Sequence, residues 1–210
     1  GEIDEMAGCV REALLKELDP REVLEVILQA AIYVGKPKTN RAGRAFIDIA
    51  SSLGILDRLD PPPSFPDLEL EAERTRWRVP DSEFPRREEL MRKYGWQGIG
   101  AGLRTQPWHH ARSVEFIDSV DEEFTRIWLD FIYAGMYARE VLDDKTRTII
   151  MVGDCVAVEE LEQAENHMRN ALSLGATRDE LLEVCLQSTQ LIGMPRSFKA
   201  VRILLRITSE

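Results

Sequence analysis

The stretch Asn166–Pro195, NHMRNALSLGATRDELLEVCLQSTQLIGMP, decides the fold class. Apolar residues recur at spacings of three and four, as on one face of a helix, up to Gly175, a residue suited to ending one. Thr177 then opens a second helix, with Glu180 three residues on to complete a capping box. That helix closes at Gly193-Met194-Pro195, where glycine breaks the period and proline prevents its resumption. Outward from here the same grammar continues. Asp143 is a suitable N-cap for a helix through IIMVGDCVAV, apolar almost all round and so expected at the centre of a core. Residues 121–139 (DEEFTRIWLDFIYAGMYAR) place Phe124, Ile127, Trp128, Phe131, Ile132 and Met136 at helical spacing. Nothing between 110 and 210 reads as paired strands, and the expected fold is all-α.

Composition narrows the function. The 210 residues carry a net charge of −10, which disfavours a nucleic-acid partner, since phosphate binding needs a basic surface. No apolar run approaches the ~18–20 residues that cross a bilayer. The three cysteines, Cys9, Cys155 and Cys185, form no C-x-x-C, and with the acidic composition they suggest a cytoplasmic protein with free thiols. Pro61, Pro62, Pro63, Pro66, Pro80 and Pro85 cluster in a stretch without period, read as a connector between two units.

A shift of 158 positions aligns Cys9–Ala45 with His167–Ile203 without a gap, and 13 of the 37 pairs are identical, including both Gly-x-Pro breakers. This reads as a duplication whose first copy lacks its front half. The expected organisation is the second half of a first repeat over 1–56, a Pro-rich linker over 57–85, and a complete second repeat over 86–210.

The spaced pattern L-D-x-x-T-R, H-x-x-x-A-L-x-x-G-x-T-x-x-E-x-x-E-V and G-x-P, running over roughly 120–200, resembles the carboxymuconolactone decarboxylase family within the wider AhpD-like group. The resemblance implies small helical units that assemble as homo-oligomers, and cofactor-free removal of CO2 from a carboxylated lactone. Where the peroxidase branch carries its C-x-x-C, this chain has Glu160 and Gln163, so a thiol peroxidase route is excluded. The histidine position of the family is His167 in the second copy and Cys9 in the first. The aromatic position is Tyr33 in the first copy and Leu191 in the second.

These residues make His167 the candidate proton carrier, expected at the rim of an apolar stripe beside Glu160, partly solvated and titrating near neutrality. Asp154, a carboxylate inside an apolar run, is the candidate partner, expected within a turn of His167 if the next helix folds back. Glu160 completes the catalytic set. Arg147, in the L-D-x-x-T-R motif, and Arg139 are candidate carboxylate clamps, because guanidinium binds carboxylates in a two-pronged geometry. The more common role of an arginine such as Arg147 is an interhelical or intersubunit ion pair. His110 and Tyr33 are candidate substrate contacts. His109, His110 and His167 with a carboxylate could make a metal site, but no H-x-x-x-H or similar spacing supports one, and adjacent histidines cannot easily chelate one ion. Trp96, Gly98, Gly100 and Gly102 read as a flexible aromatic stretch. The expected activity is a cofactor-independent lyase or isomerase on a small carboxylated lactone, enol or cyclic acid. The alternatives are a non-catalytic scaffold or ligand-binding protein, and a metal-dependent oxygenase.

Overall fold

The computed structural model describes residues 2–65, 67 and 79–210. Pro66 and most of the expected linker's acidic half, residues 68–78, lie outside the described residues. Among the described residues every regular element is helical, as the periodicity predicts. The chain divides into two compact units, Gly1–Ser64 and Phe65–Glu210.

The first unit holds α1 (Glu2–Leu15), α2 (Pro20–Gln29), α3 (Ala31–Val34) and α4 (Lys36–Ser52). Asp19 caps α2 by accepting from the Arg21 N–H at 2.8 Å, and Pro20 occupies the first turn, where no amide donor is missed. Its core is Val10, Leu14, Ile27, Phe46, Ile49 and Ala50. Glu25 and Gln29 are buried in this unit, whereas Glu183 and Gln187 of the second unit are exposed and bond to each other at 2.6 Å.

The second unit runs through α5 (Arg87–Tyr94), α6 (Trp96–Thr105), α7 (His110–Val120), α8 (Glu122–Trp128), a π-helical segment (Leu129–Tyr137), α9 (Asp144–Val158), α10 (Leu161–Ser173), α11 (Arg178–Gln187), α12 (Thr189–Ile192) and α13 (Met194–Ile207). Helix α9 is central, packing on α6, α10, α11 and α13 and burying Met151, Val152, Cys155 and Val156. Asp143 caps it through the Thr146 N–H at 2.9 Å, and the Thr177–Glu180 capping box forms in both directions on α11.

Two expectations change here. Residues 121–139 form an α-helix that passes into a π-helix, and the buried positions are Thr125, Leu129, Tyr133, Ala134, Tyr137 and Ala138. Phe124, Ile127 and Phe131 instead stand more than half exposed, with Phe116 and Val120 of α7 also exposed. Phe124 and Ile127 lie in the ordinary α-helical part, so their exposure is set by what the tertiary structure packs against the helix and not by its winding. Nor is the glycine-rich stretch loose: it is helix α6. A Cβ on Gly98 would lie 2.9 Å from Leu129 Cβ, and one on Gly102 2.1 Å from the His110 ring. The two glycines, one turn apart, are grooves that admit the π segment and α7.

Candidate functional site: a buried histidine pair

Helix α10 presents His167 and, one turn later, Asn170 on one face, since residues three apart are neighbours on a helix. Facing them is the turn Gln106–His109 that leads into α7. The His109 and His167 rings meet edge to face, with centroids 5.6 Å apart. Asn170 ties this arrangement together. Its Oδ1 accepts from the Trp108 N–H at 2.8 Å, and its Nδ2 lies 2.7 Å from His109 Nδ1.

The pair is deeply placed. His167 is 4% exposed and His109 8% exposed. Burial, with repulsion from His109 second, pulls His167 down to about 3. Burial, then the Arg112 charge, pulls His109 down to about 4. Both imidazoles are therefore neutral near pH 7. This corrects the expectation of a partly solvated His167 titrating near neutrality: the ring is enclosed by protein, where the charged form is penalised.

The other candidates are placed as follows. Asp154 is half-buried on α9, and Glu160 is exposed immediately before α10, seven residues from His167 and so about 10.5 Å along the axis at ~1.5 Å per residue. Arg147 is fully buried. Its Nη2 donates to the Arg139 carbonyl at 2.9 Å, and its guanidinium lies 6.0 Å from the Tyr137 ring centroid. Arg104 similarly donates to the Tyr137 carbonyl at 2.8 Å and pairs with Asp144 at 3.0 Å. These two arginines satisfy carbonyls at the end of the π segment, as cations at a helix C-terminus do. Arg139 is half-buried beside them. The neighbouring cleft of about 310 Å³ is lined by Glu140, Asp143 and Asp144 as well as Arg104, a composition that repels a carboxylate.

His110 is wholly buried, 4.2 Å from the Tyr133 ring and stacked on Trp128 at 5.8 Å, over the Gly102 groove. Burial drives it well below its ordinary range. In this position it packs the core. Tyr133 OH donates to Gln106 Oε1 at 3.0 Å on the same side. Tyr33 is half-buried in the first unit. Among the described residues no group of three His, Cys, Asp or Glu side chains is placed to hold a metal ion. Cys155 and Cys185 are buried, burial pushes the Cys185 thiol up to about 11, and Cys9 is exposed.

A cleft of about 630 Å³ is lined by Glu83, Pro107, Trp108, Ser173, Leu174 and Gly175, with neither histidine of the pair on its wall. It borders the residue before His109 and the C-terminal end of the helix that carries His167. Its size suits a small organic ligand. Two arginines lie over the Trp108 ring, Arg112 at 5.4 Å and Arg169 at 5.2 Å; Arg169 is neutralised by Glu165 and Glu210.

The sequence reading groups His109 with His167 only as a metal alternative, not as an imidazole pair, and does not reach Asn170. The H-x-x-N spacing on α10 is the signal for Asn170. For His109 there is none, because its partner is 61 residues away.

Known proteins bear on this site. The chain is 25% identical over 95 residues to 4-carboxymuconolactone decarboxylase of Acinetobacter baylyi (strain ATCC 33305 / BD413 / ADP1), an alignment covering 45% of this chain and 71% of that protein. It is 26% identical over 98 residues to an uncharacterized 15.0 kDa protein of the nqo9-nqo10 intergenic region of Paracoccus denitrificans, covering 46% and 70% respectively. Residues 122–206, the segment that holds His167 and Asn170, match the model of the carboxymuconolactone decarboxylase family, and these likenesses support that family for the second unit of the chain.

Proposed function

We propose that the chain is a cofactor-independent lyase or isomerase acting on a small carboxylated lactone, enol or cyclic acid, in the manner of a carboxymuconolactone decarboxylase. The observation that carries this is the pair of neutral imidazoles, His109 and His167, held with ring centroids 5.6 Å apart, next in the chain to Trp108 on the wall of a cleft of small-molecule size. In a decarboxylation the bond to the carboxyl carbon breaks, CO2 leaves, and the electron pair stays on the substrate as an enolate. His167 then gives its proton to that carbon and recovers one from water, with Asp154 assisting and Glu160 at the exposed start of α10.

The magnitudes say when His167 carries the proton. With its pKa held at about 3, charging it at pH 7 costs about 5 kcal/mol, at roughly 1.4 kcal/mol per unit. A substrate carboxylate ~4 Å away returns about 4 kcal/mol at an effective dielectric of ~20. In this reading the bound anion lowers the cost of charging His167 to about 1 kcal/mol, and the proton it then passes to carbon is drawn from solvent. Arg147 and Arg139 brace the π segment and act on the carboxylate only indirectly.

Two further readings stand beside it. The burial of His167 favours a non-catalytic scaffold or ligand-binding member. A metal-dependent oxygenase using His109, His110 and His167 lacks a supporting ligand set among the described residues and requires stoichiometric metal by elemental analysis.

Tandem organisation is part of the proposal: a half repeat over 1–56, a linker over 57–85 and a complete repeat over 86–210. It is supported by the 158-residue shift that superposes the bounds of α2 on α11 and of α3 on α12, and the positive φ of Glu17 and Gly35 on those of Gly175 and Gly193. Self-association as a homo-oligomer is supported by the exposed stripe of Phe124, Ile127 and Phe131, which lies on the second unit where a partner would cover it. No helix among the described residues is long and apolar enough to cross a membrane. The free thiols support a cytoplasmic location.

The test is CO2 release from 4-carboxymuconolactone by the purified chain and by His167→Gln. Stoichiometric release that falls by a factor of roughly 10²–10⁴ in the variant, with unchanged helicity, is expected. An unchanged rate in the variant, or no release by the wild-type chain, overturns the reading for this substrate.

A further inference from the structure

We infer that Asn170 locks His109 as the neutral Nε2–H tautomer, making it a fixed hydrogen-bond donor that receives an anionic oxygen of the ligand beside His167. The argument starts at a backbone group whose role is unambiguous. The Trp108 N–H can only donate, so the Asn170 atom 2.8 Å from it is the amide oxygen. The amide's other arm is then an NH2, also a donor only, and it lies 2.7 Å from His109 Nδ1. Two donors cannot face each other at that distance, so Nδ1 is the acceptor and the ring's one proton sits on Nε2.

Nε2 lies on the other side of Cε1 from the Asn170 amide, and no protein group among the described residues takes its proton. His109 Nε2 is not among the sealed, unpartnered side-chain nitrogens, as both His110 nitrogens are, and Trp108, the adjacent residue, lines the 630 Å³ cleft. A neutral donor placed in this way suits an oxygen that gains negative charge, as the enolate oxygen does when CO2 departs, because it needs no reorganisation during the reaction. His109 and His167 then divide the work: one holds the oxygen, the other moves a proton at carbon. Asn170 is a positioning residue, acting through His109. The substrate class rests on the lyase or isomerase reading above; the tautomer does not.

The experiment uses the full chain with 15N-labelled histidine. Long-range proton–nitrogen correlation at pH 7 is expected to show His109 as Nε2–H; an Nδ1–H tautomer in the wild-type protein overturns the inference. In Asn170→Asp the carboxylate can still accept from Trp108 but presents only acceptors to the ring, so His109 Nδ1 is expected to become protonated. Retention of the Nε2–H form in that variant shows that Asn170 does not set the tautomer. Furan-2-carboxylate, a stable planar carboxylated ring, is then titrated. It is expected to shift the His109 Nε2 resonance and to bind at least tenfold more weakly to His109→Phe. No shift up to tens of millimolar removes the anion site. Absent CO2 release with these signatures intact fails the lyase reading alone; intact release with the signatures missing fails this inference alone.

Discussion

Acidification from pH 8 to pH 5 is expected to weaken the second unit sharply, before its carboxylates titrate. In the unfolded chain each histidine takes up a proton near 6.5, whereas in the folded protein His167 holds out to about 3 and His109 to about 4. Between those values the unfolded state binds more protons than the folded one, so stability rises with pH across the window and is lost as pH falls. At pH 5 the loss is set almost entirely by the unfolded value and amounts to about 2 kcal/mol for each ring, about 4 kcal/mol for the pair. His110, buried and held well below its ordinary range, adds in the same direction. Against a typical domain stability of about 5–15 kcal/mol this is a large fraction. With a urea dependence of about 2 kcal/mol per molar, the unfolding midpoint should fall by about 2 M or more. All four tryptophans lie beyond residue 64, so their fluorescence follows this unit. His167→Phe should remove about half of the pair's contribution. A midpoint that stays level between pH 8 and pH 5, or rises on acidification, refutes the neutral buried pair.

Two further outcomes follow from packing. Gly102→Ala places a methyl 2.1 Å from the His110 ring, which has no room to retreat between Trp128 and Tyr133, and should cost about 1–3 kcal/mol or more in the same urea titration; a neutral substitution would show that the groove is not needed. Replacing Phe124 and Ile127 by Glu should yield a smaller species by light scattering with the unfolding midpoint of the dissociated chain little changed, because both side chains are more than half exposed within the chain itself. An unchanged mass would place any self-association elsewhere.

The helices and their ends are legible from residues close together in the chain. Asp143 on the Thr146 N–H, the reciprocal Thr177–Glu180 pair, and the positive φ of Gly175 and Gly193 are each contacts or conformations within a few residues, so composition and spacing carry them. His167 is picked out by pattern. What its ring experiences is not. The apolar period of residues 121–139 does not give the inward face: Phe124, Ile127 and Phe131 follow it and stand exposed, while Thr125, Leu129, Tyr133 and Tyr137 turn inward. Arg147 reads as an anion clamp by residue type alone, and only the position of the Arg139 carbonyl shows where its donor goes.

By itself the sequence determines an all-helical chain, its punctuation and one histidine of interest, because helix formation is governed by neighbours within about a turn. Only the tertiary structure decides that His167 is enclosed and neutral, that His109 stands against it, and that Asn170 selects which nitrogen of His109 keeps the proton. Protonation and tautomer answer to the dielectric and to hydrogen-bond partners brought together from distant parts of the chain, and no local spacing encodes either.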